Sequence, residues 1–156
     1  MKKGDIQMKT MASLLACGAL GLTLVWNSAV SAQAIEVQSA MVRMVPAGQR
    51  VSAAFFTLLN PDSRDRTLVA ARSDAASAVE VHEHVMQDGL MKMRRVQSLM
   101  LPGHGSVTLE PGGLHLMLIG LTRALQLDEV ILIELEFADG ERVLVEAVVM
   151  MPGGSS

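Results

Sequence analysis

Three of the chain's four histidines and four of its twelve methionines fall in two short stretches, Val81-His82-Glu83-His84-Val85-Met86-Gln87-Asp88-Gly89-Leu90-Met91-Lys92-Met93 and Pro111-Gly112-Gly113-Leu114-His115-Leu116-Met117-Leu118-Ile119-Gly120. Imidazole nitrogen and thioether sulfur are neutral, fairly soft donors. A set that mixes them without thiolate or carboxylate suits Cu(I) better than zinc, magnesium or calcium. Side chains two apart on a β-strand share a face, so His115 and Met117 point together, as do His82, His84 and Met86, and likewise Met91 and Met93. The Asp88-Gly89 pair suits a tight hairpin turn with positive φ. A two-residue turn there sets Met86 opposite Met91 and His84 opposite Met93, and leaves His82 diagonal to Met93. Direct partners approach to about 5 Å at Cβ and diagonal ones to about 7–8 Å, both within reach of a methionine. On this reasoning either His82 or His84 can join the site.

The elements that carry these rows are strands. Runs of apolar or alternating residues span Ile35 to Val45, Val51 to Leu59, Arg66 to Ala71, Val79 to Met86, Leu90 to Val96, Gly105 to Leu109, Leu114 to Ile119, Val130 to Phe137 and Arg142 to Val149. Turn residues separate them: Pro46-Ala47-Gly48, Asn60-Pro61-Asp62-Ser63, Asp88-Gly89, Pro111-Gly112-Gly113 and Ala138-Asp139-Gly140. About nine short strands at regular spacing predict an all-β sandwich or barrel. The only helical expectation is a single turn within Leu121 to Leu127. Phe55, Phe56 and Phe137 are the only aromatics after Trp26. The core is therefore expected to pack with Val, Leu, Ile, Ala and Met, and most methionines, Met41, Met44 and Met100 among them, read as core filler.

The N-terminus reads as an export signal. Lys2, Lys3 and Lys9 precede an apolar run from Met11 to Trp26, and Val30-Ser31-Ala32 offers small residues for cleavage. Sixteen apolar residues fall short of the roughly 18 expected of a membrane-spanning helix. Leu14-Leu15-Ala16-Cys17 is like a lipoprotein cleavage box only superficially, since too much apolar sequence follows it. Cys17 thus belongs to the discarded leader, residues 1–32. The mature domain is then 33–150, followed by a flexible tail over 151–156. Of 13 basic and 16 acidic side chains, three lysines and Asp5 leave with the leader, so 10 and 15 remain, a formal charge of −5. That balance argues against a nucleic-acid partner. A domain this long buries a core without disulfide or structural metal, so a metal here is cargo rather than scaffold.

The residues carry a family resemblance. His82, ten residues, Met93, twenty-one residues, His115, one residue and Met117 reproduce the copper-binding signature of the periplasmic CuA chaperone family, PCuAC. Flanking segments are also similar to that family: Asp88-Gly89-Leu90-Met91-Lys92-Met93-Arg94, Leu109-Glu110-Pro111-Gly112-Gly113 and His115-Leu116-Met117-Leu118. The resemblance covers roughly Ile35 to Val149. It implies a cupredoxin-like (Greek-key) β-sandwich that binds one Cu(I) near its surface through His82, Met93, His115 and Met117, with His84 as a neighbour or alternative ligand. It further implies a periplasmic copper chaperone that delivers to the CuA centre of cytochrome c oxidase subunit II or to another periplasmic copper chaperone. His104 departs from the family's usual small residue and reads as solvated surface, and Met150-Met151-Pro152 is only a remnant of the metal-binding tail some members carry.

Other classes fit less well. A blue-copper electron carrier needs a cysteine thiolate, and none follows Cys17. No Gly-x-Ser-x-Gly elbow marks a hydrolase. A zinc enzyme lacks a placed carboxylate beside the histidines. The chain is therefore expected not to be an enzyme. General periplasmic copper buffering or resistance shares every one of these features with delivery to an oxidase. The sequence does not separate the two.

Overall fold

The computed structural model describes residues 34–151; the expected leader over 1–32 and all but the first residue of the tail lie outside the described residues. Ten strands form: β1 (Glu36–Arg43), β2 (Val51–Leu59), β3 (Arg66–Arg72), β4 (Ala76–Gln87), β5 (Leu90–Arg95), β6 (Leu99–Leu101), β7 (Ser106–Leu109), β8 (His115–Leu121), β9 (Val130–Phe137) and β10 (Arg142–Met150). Hydrogen bonding runs β4-β8-β2-β1-β10-β9-β3, and a β3–β4 pairing at Ala71 and Val79 closes the ring. Seven strands thus make a closed barrel. β5, β6 and β7 hang on it as extra edges, on β4, β3 and β2 respectively.

The all-β architecture is as the sequence predicts, with ten strands in place of nine. The tenth, β6, has three residues, too few for alternation to show in sequence, and exists because Arg66, Thr67 and Leu68 of β3 supply it with partners. The anticipated helical turn between Leu121 and Leu127 is absent; Leu121 ends β8, and the residues after it form a bend, an irregular stretch and the start of a turn. β4 also starts earlier than expected, at Ala76, where Ser77 and Gly120 of the facing strand meet closely. Ser77 Oγ donates to the Gly120 carbonyl at 3.0 Å, and a Cβ on Gly120, whose φ is +68°, would lie 2.9 Å from that hydroxyl oxygen.

Alternation sends one face of each barrel strand inward. On β9, Ile131, Ile133, Leu135 and Phe137 are buried while Leu132 faces solvent; on β10, Val145, Ala147 and Val149 are inside. Val79 and Val81 of β4, Leu116 and Leu118 of β8, and Ala54, Phe56 and Leu58 of β2 fill the opposite wall. Each large aliphatic so buried contributes about 1.5–3 kcal/mol relative to exposure. Phe55 is the exception among the aromatics. It is buried yet stands apart from the core cluster, because its odd position puts it on the outer face of β2, where the Arg43 guanidinium carbon lies 5.3 Å from its ring centroid.

Candidate metal centre

The same alternation places the histidines and methionines outside the barrel. Since Val79 and Val81 point inward, Glu80, His82, His84 and Met86 point outward from β4; since Leu116 and Leu118 point inward, His115 and Met117 point outward from β8. The Asp88-Gly89 turn has φ of 54° and 74°, the pair of left-handed residues that a two-residue hairpin requires. The register follows from it: Met86 opposite Met91, His84 opposite Met93 and His82 opposite Arg95. On its other side β4 pairs with β8, which sets His82 directly opposite His115 and Glu80 opposite Met117. His82 therefore stands at the centre of the pattern, beside His115 and diagonal to both Met93 and Met117.

A turn and a side-chain bond fix His115. The Pro111-Gly112-Gly113 turn closes with Gly113 N–H donating to Glu110 O at 3.1 Å, and His115 Nδ1 lies 3.0 Å from the Gly113 carbonyl. A carbonyl only accepts, so Nδ1 carries the proton and Nε2 is left with a free lone pair. The residue is only 4% exposed despite its outward position. Burial pushes its pKa below the ordinary 6.5, and the neighbouring His84, His82 and Arg43 add to that against the bond to Gly113. A neutral imidazole is the state a metal needs.

His82 is oriented by a carboxylate. Its Nε2 lies 2.9 Å from Glu80 Oε2, and Glu80 Oε1 is in turn 3.0 Å from Arg95 Nη1. The other ring nitrogen, Nδ1, is buried with no hydrogen-bond partner, and so is Nδ1 of His84. The rings are close: His84 stacks on His115 with centroids 5.0 Å apart, and His82 is 6.2 Å from His115.

Beside these rings opens a cavity of about 250 Å³, lined by His84, Met93, His115 and Met117 together with Phe55, Arg43, Ser52 and the Pro111-Gly112 turn. Of the four residues carried by the family signature, Met93, His115 and Met117 line it; His82 does not, and His84 does. Among the described residues no three His, Cys, Asp or Glu side chains gather closely enough to hold a metal ion. A site here must recruit thioethers. Arg43, Phe55 and Ser52 carried no signal in the sequence, for their strands enter the site only through the β2–β8 pairing. Ser52 Oγ donates to Arg43 O at 2.6 Å, tying the end of β1 to the cavity wall. His104 sits elsewhere, exposed in a turn at φ 51°.

A closed seven-stranded barrel of this kind is already represented among solved structures by PCuAC domains. The fold matches the copper-bound PCuAC domain from PmoF2 with TM-score 0.65 at 20% identity, over 78% of this chain and 97% of that one. It also matches the solution structure of CuI-DR1885 from Deinococcus radiodurans with TM-score 0.63 at 34% identity, over 78% of this chain and 82% of that one. The chain belongs to the LpqE-like family, described as "Putative lipoprotein LpqE-like", which matches residues 35–149. A relative from Leifsonia xyli subsp. xyli, "Putative lipoprotein Lxx21020", is 36% identical over 110 residues, 70% of this chain. The match spans 65% of that relative's own length, a little under two thirds.

Proposed function

We propose that this protein is an exported carrier that binds one Cu(I) through His82, Met93, His115 and Met117 and passes it to a copper-dependent acceptor, in the first instance the CuA centre of cytochrome c oxidase subunit II. The observation that supports it best is the set of free imidazole nitrogens. His82 Nδ1 is buried and unpartnered, and His115 has its Nδ1 spent on Gly113, leaving Nε2. Buried polar atoms without partners are uncommon in folded proteins, and a cargo ion supplies the partner that His82 Nδ1 lacks. The Glu80–His82 pair adds a second support, since a carboxylate on the far nitrogen orients a ligating ring and strengthens it as a donor. The third is the 34%-identical relative, which was solved with Cu(I).

Within this reading His82 is preferred over His84 by register, because only His82 is adjacent to all three other donors. Imidazole and thioether give Cu(I) no compensating charge, so a thiolate-rich acceptor offers softer, anionic donors and wins the ion by ligand exchange. Without thiolate the site also resists conversion to disulfide outside the cytosol. Anaerobic Cu(I) titration with X-ray absorption tests the assignment: mixed nitrogen and sulfur scattering at one equivalent is expected, reduced by His82→Ala and His115→Ala. Loss on His84→Ala with retention on His82→Ala would transfer the ligand role to His84. Delivery is tested in a deletion strain by CuA occupancy at limiting copper; a defect confined to copper excess would instead assign a buffering role.

Export rests on the leader pattern and on the lipoprotein description of the family. Mass spectrometry of the exported chain distinguishes a free N-terminus at Gln33 from a lipid-modified Cys17.

A further inference from the structure

The imidazole and thioether row does not stop at the four proposed ligands. Two more methionines, Met86 and Met91, lie directly opposite each other one step further out along the β4–β5 hairpin, on the same face as His84 and Met93. They are 68% and 64% exposed, against 4% for His115. Apolar side chains left this open gain little by packing, and a strand-end pair of this kind more commonly carries polar residues. Beneath them His84 keeps a buried Nδ1 with no partner, and the four-ligand reading above makes no use of it.

We propose that Met86, Met91 and His84 form a second Cu(I) site at the hairpin tip, a landing site that exchanges the ion with the inner one. This inference rests on the inner-site reading. Register puts Met86 and Met91 about 5 Å apart at Cβ, a spacing from which two thioethers can turn onto one ion, and His84 is two residues from Met86 on the same face. Two sulfurs and one nitrogen without charge make a three-coordinate set suited to a soft d¹⁰ cation and too weak for zinc. Met93, opposite His84 and diagonal to His82, belongs to both neighbourhoods. The ion therefore passes from the tip inward by replacing one neutral donor with the next, and no electron or proton is transferred. An acceptor docking on the exposed tip meets the ion first at Met86 and Met91.

The test uses Ag(I), a redox-inert d¹⁰ probe, titrated into the protein with carbon-13-labelled methionine methyl groups and followed by NMR. The first equivalent is expected to shift the Met93 and Met117 methyls, and the second to shift those of Met86 and Met91. In Met86→Leu/Met91→Leu the first-equivalent response is expected to persist unchanged. Transfer of Cu(I) from that variant to a chromophoric chelator should slow by about tenfold, with less than a twofold change in equilibrium affinity. Met86 and Met91 methyls that stay still through three equivalents, while Met93 and Met117 respond, would overturn the tip site and leave the inner site standing. Unmoved Met93 and Met117 with shifted Met86 and Met91 would overturn the inner-site reading instead, with the tip surviving as a site in its own right but not as a relay.

Discussion

Arg66 and the imidazole group are two places where the barrel keeps side-chain nitrogen away from water, and they manage charge in opposite ways. Arg66 at the start of β3 has a side chain only 4% exposed; its guanidinium pairs with Asp139 at 2.6 Å and with Glu141, and its central carbon lies 5.8 Å from the Phe137 ring centroid. Burial opposes its charge, and the hydrogen bonds and attraction of Glu141 and Asp139 more than offset that, so its pKa is raised. The centre carries its own cation and its own anions. Around His115 the burial is equally complete, yet there burial prevails and lowers the ring's pKa, and Nδ1 of the neighbouring His82 and His84 is buried without a partner. One centre balances a buried charge with its own carboxylates, although Arg66 Nε and Nη1 stay buried without a hydrogen-bond partner; the other leaves Nδ1 of His82 and of His84 in the same condition with no such charge to balance. The difference between them is thus the balance of charge, since unpartnered buried nitrogens occur in both.

The sharpest way to break this contrast is to substitute each centre and read both stability and copper. His115→Ala is expected to lower Cu(I) affinity by at least about a hundredfold, since it removes a proposed ligand where even supporting residues are worth about 10–100-fold. Competition with a Cu(I) chelator reads it, and an unchanged affinity would remove His115 from the site. Arg66→Met should cost about 2–3 kcal/mol of unfolding free energy by leaving two carboxylates without their cation, less than for a fully buried pair because Asp139 and Glu141 are partly exposed. Copper affinity of the folded Arg66→Met protein should be unaffected; a parallel loss would show that the two centres are coupled through the barrel.

Smaller effects refine the picture. Glu80→Gln removes the carboxylate that orients His82 and should weaken Cu(I) binding by about tenfold, with little change in stability. If it weakens nothing while His84→Ala does, His82 is not the ligand. Acid should act on the two centres in different windows. His115 titrates below its ordinary 6.5 in the folded state, so the unfolded chain takes up the proton first. Stability from this residue is complete above pH 6.5 and declines as pH falls through the range between 6.5 and the lower folded value. Asp139 is also lowered, from 3.8: partial burial works against ionisation, but the Glu141 amide and the Arg66 guanidinium overcome it. Its contribution is present above 3.8 and declines only below that. Urea midpoints measured from pH 8 to 3 should therefore fall in two stages, with the upper stage missing in His115→Gln and the lower reduced in Arg66→Met. A single stage unaffected by His115→Gln would contradict the burial account of that ring.

How much of this was readable in advance differs from residue to residue. The Asp88-Gly89 pair announces its own geometry, because two consecutive left-handed residues of this type suit a two-residue hairpin. The register Met86 to Met91 and His84 to Met93 then follows by counting. Alternation on β9 and β10 likewise displays the core directly. β6 could not be read, since three residues have no period and their pairing is supplied by β3. Nothing in the local sequence tells Phe55 from Phe56, and the place of Phe55 on the outer face follows only from Ala54 and Phe56 facing inward.

By itself the sequence determined the strand content, the hairpin that carries His84 and Met93, and the imidazole and thioether types gathered there. Those depend on local periodicity and side-chain chemistry, which need no partner strand to be expressed. Tertiary structure decided that β8 lies against β4 so that His115 faces His82, that Glu80 turns to the His82 ring, and that β2 brings Phe55 and β1 brings Arg43 to line the cavity. Barrel closure juxtaposes residues thirty or more positions apart, and which of several compatible strand orders achieves it depends on the whole buried surface rather than on any one segment.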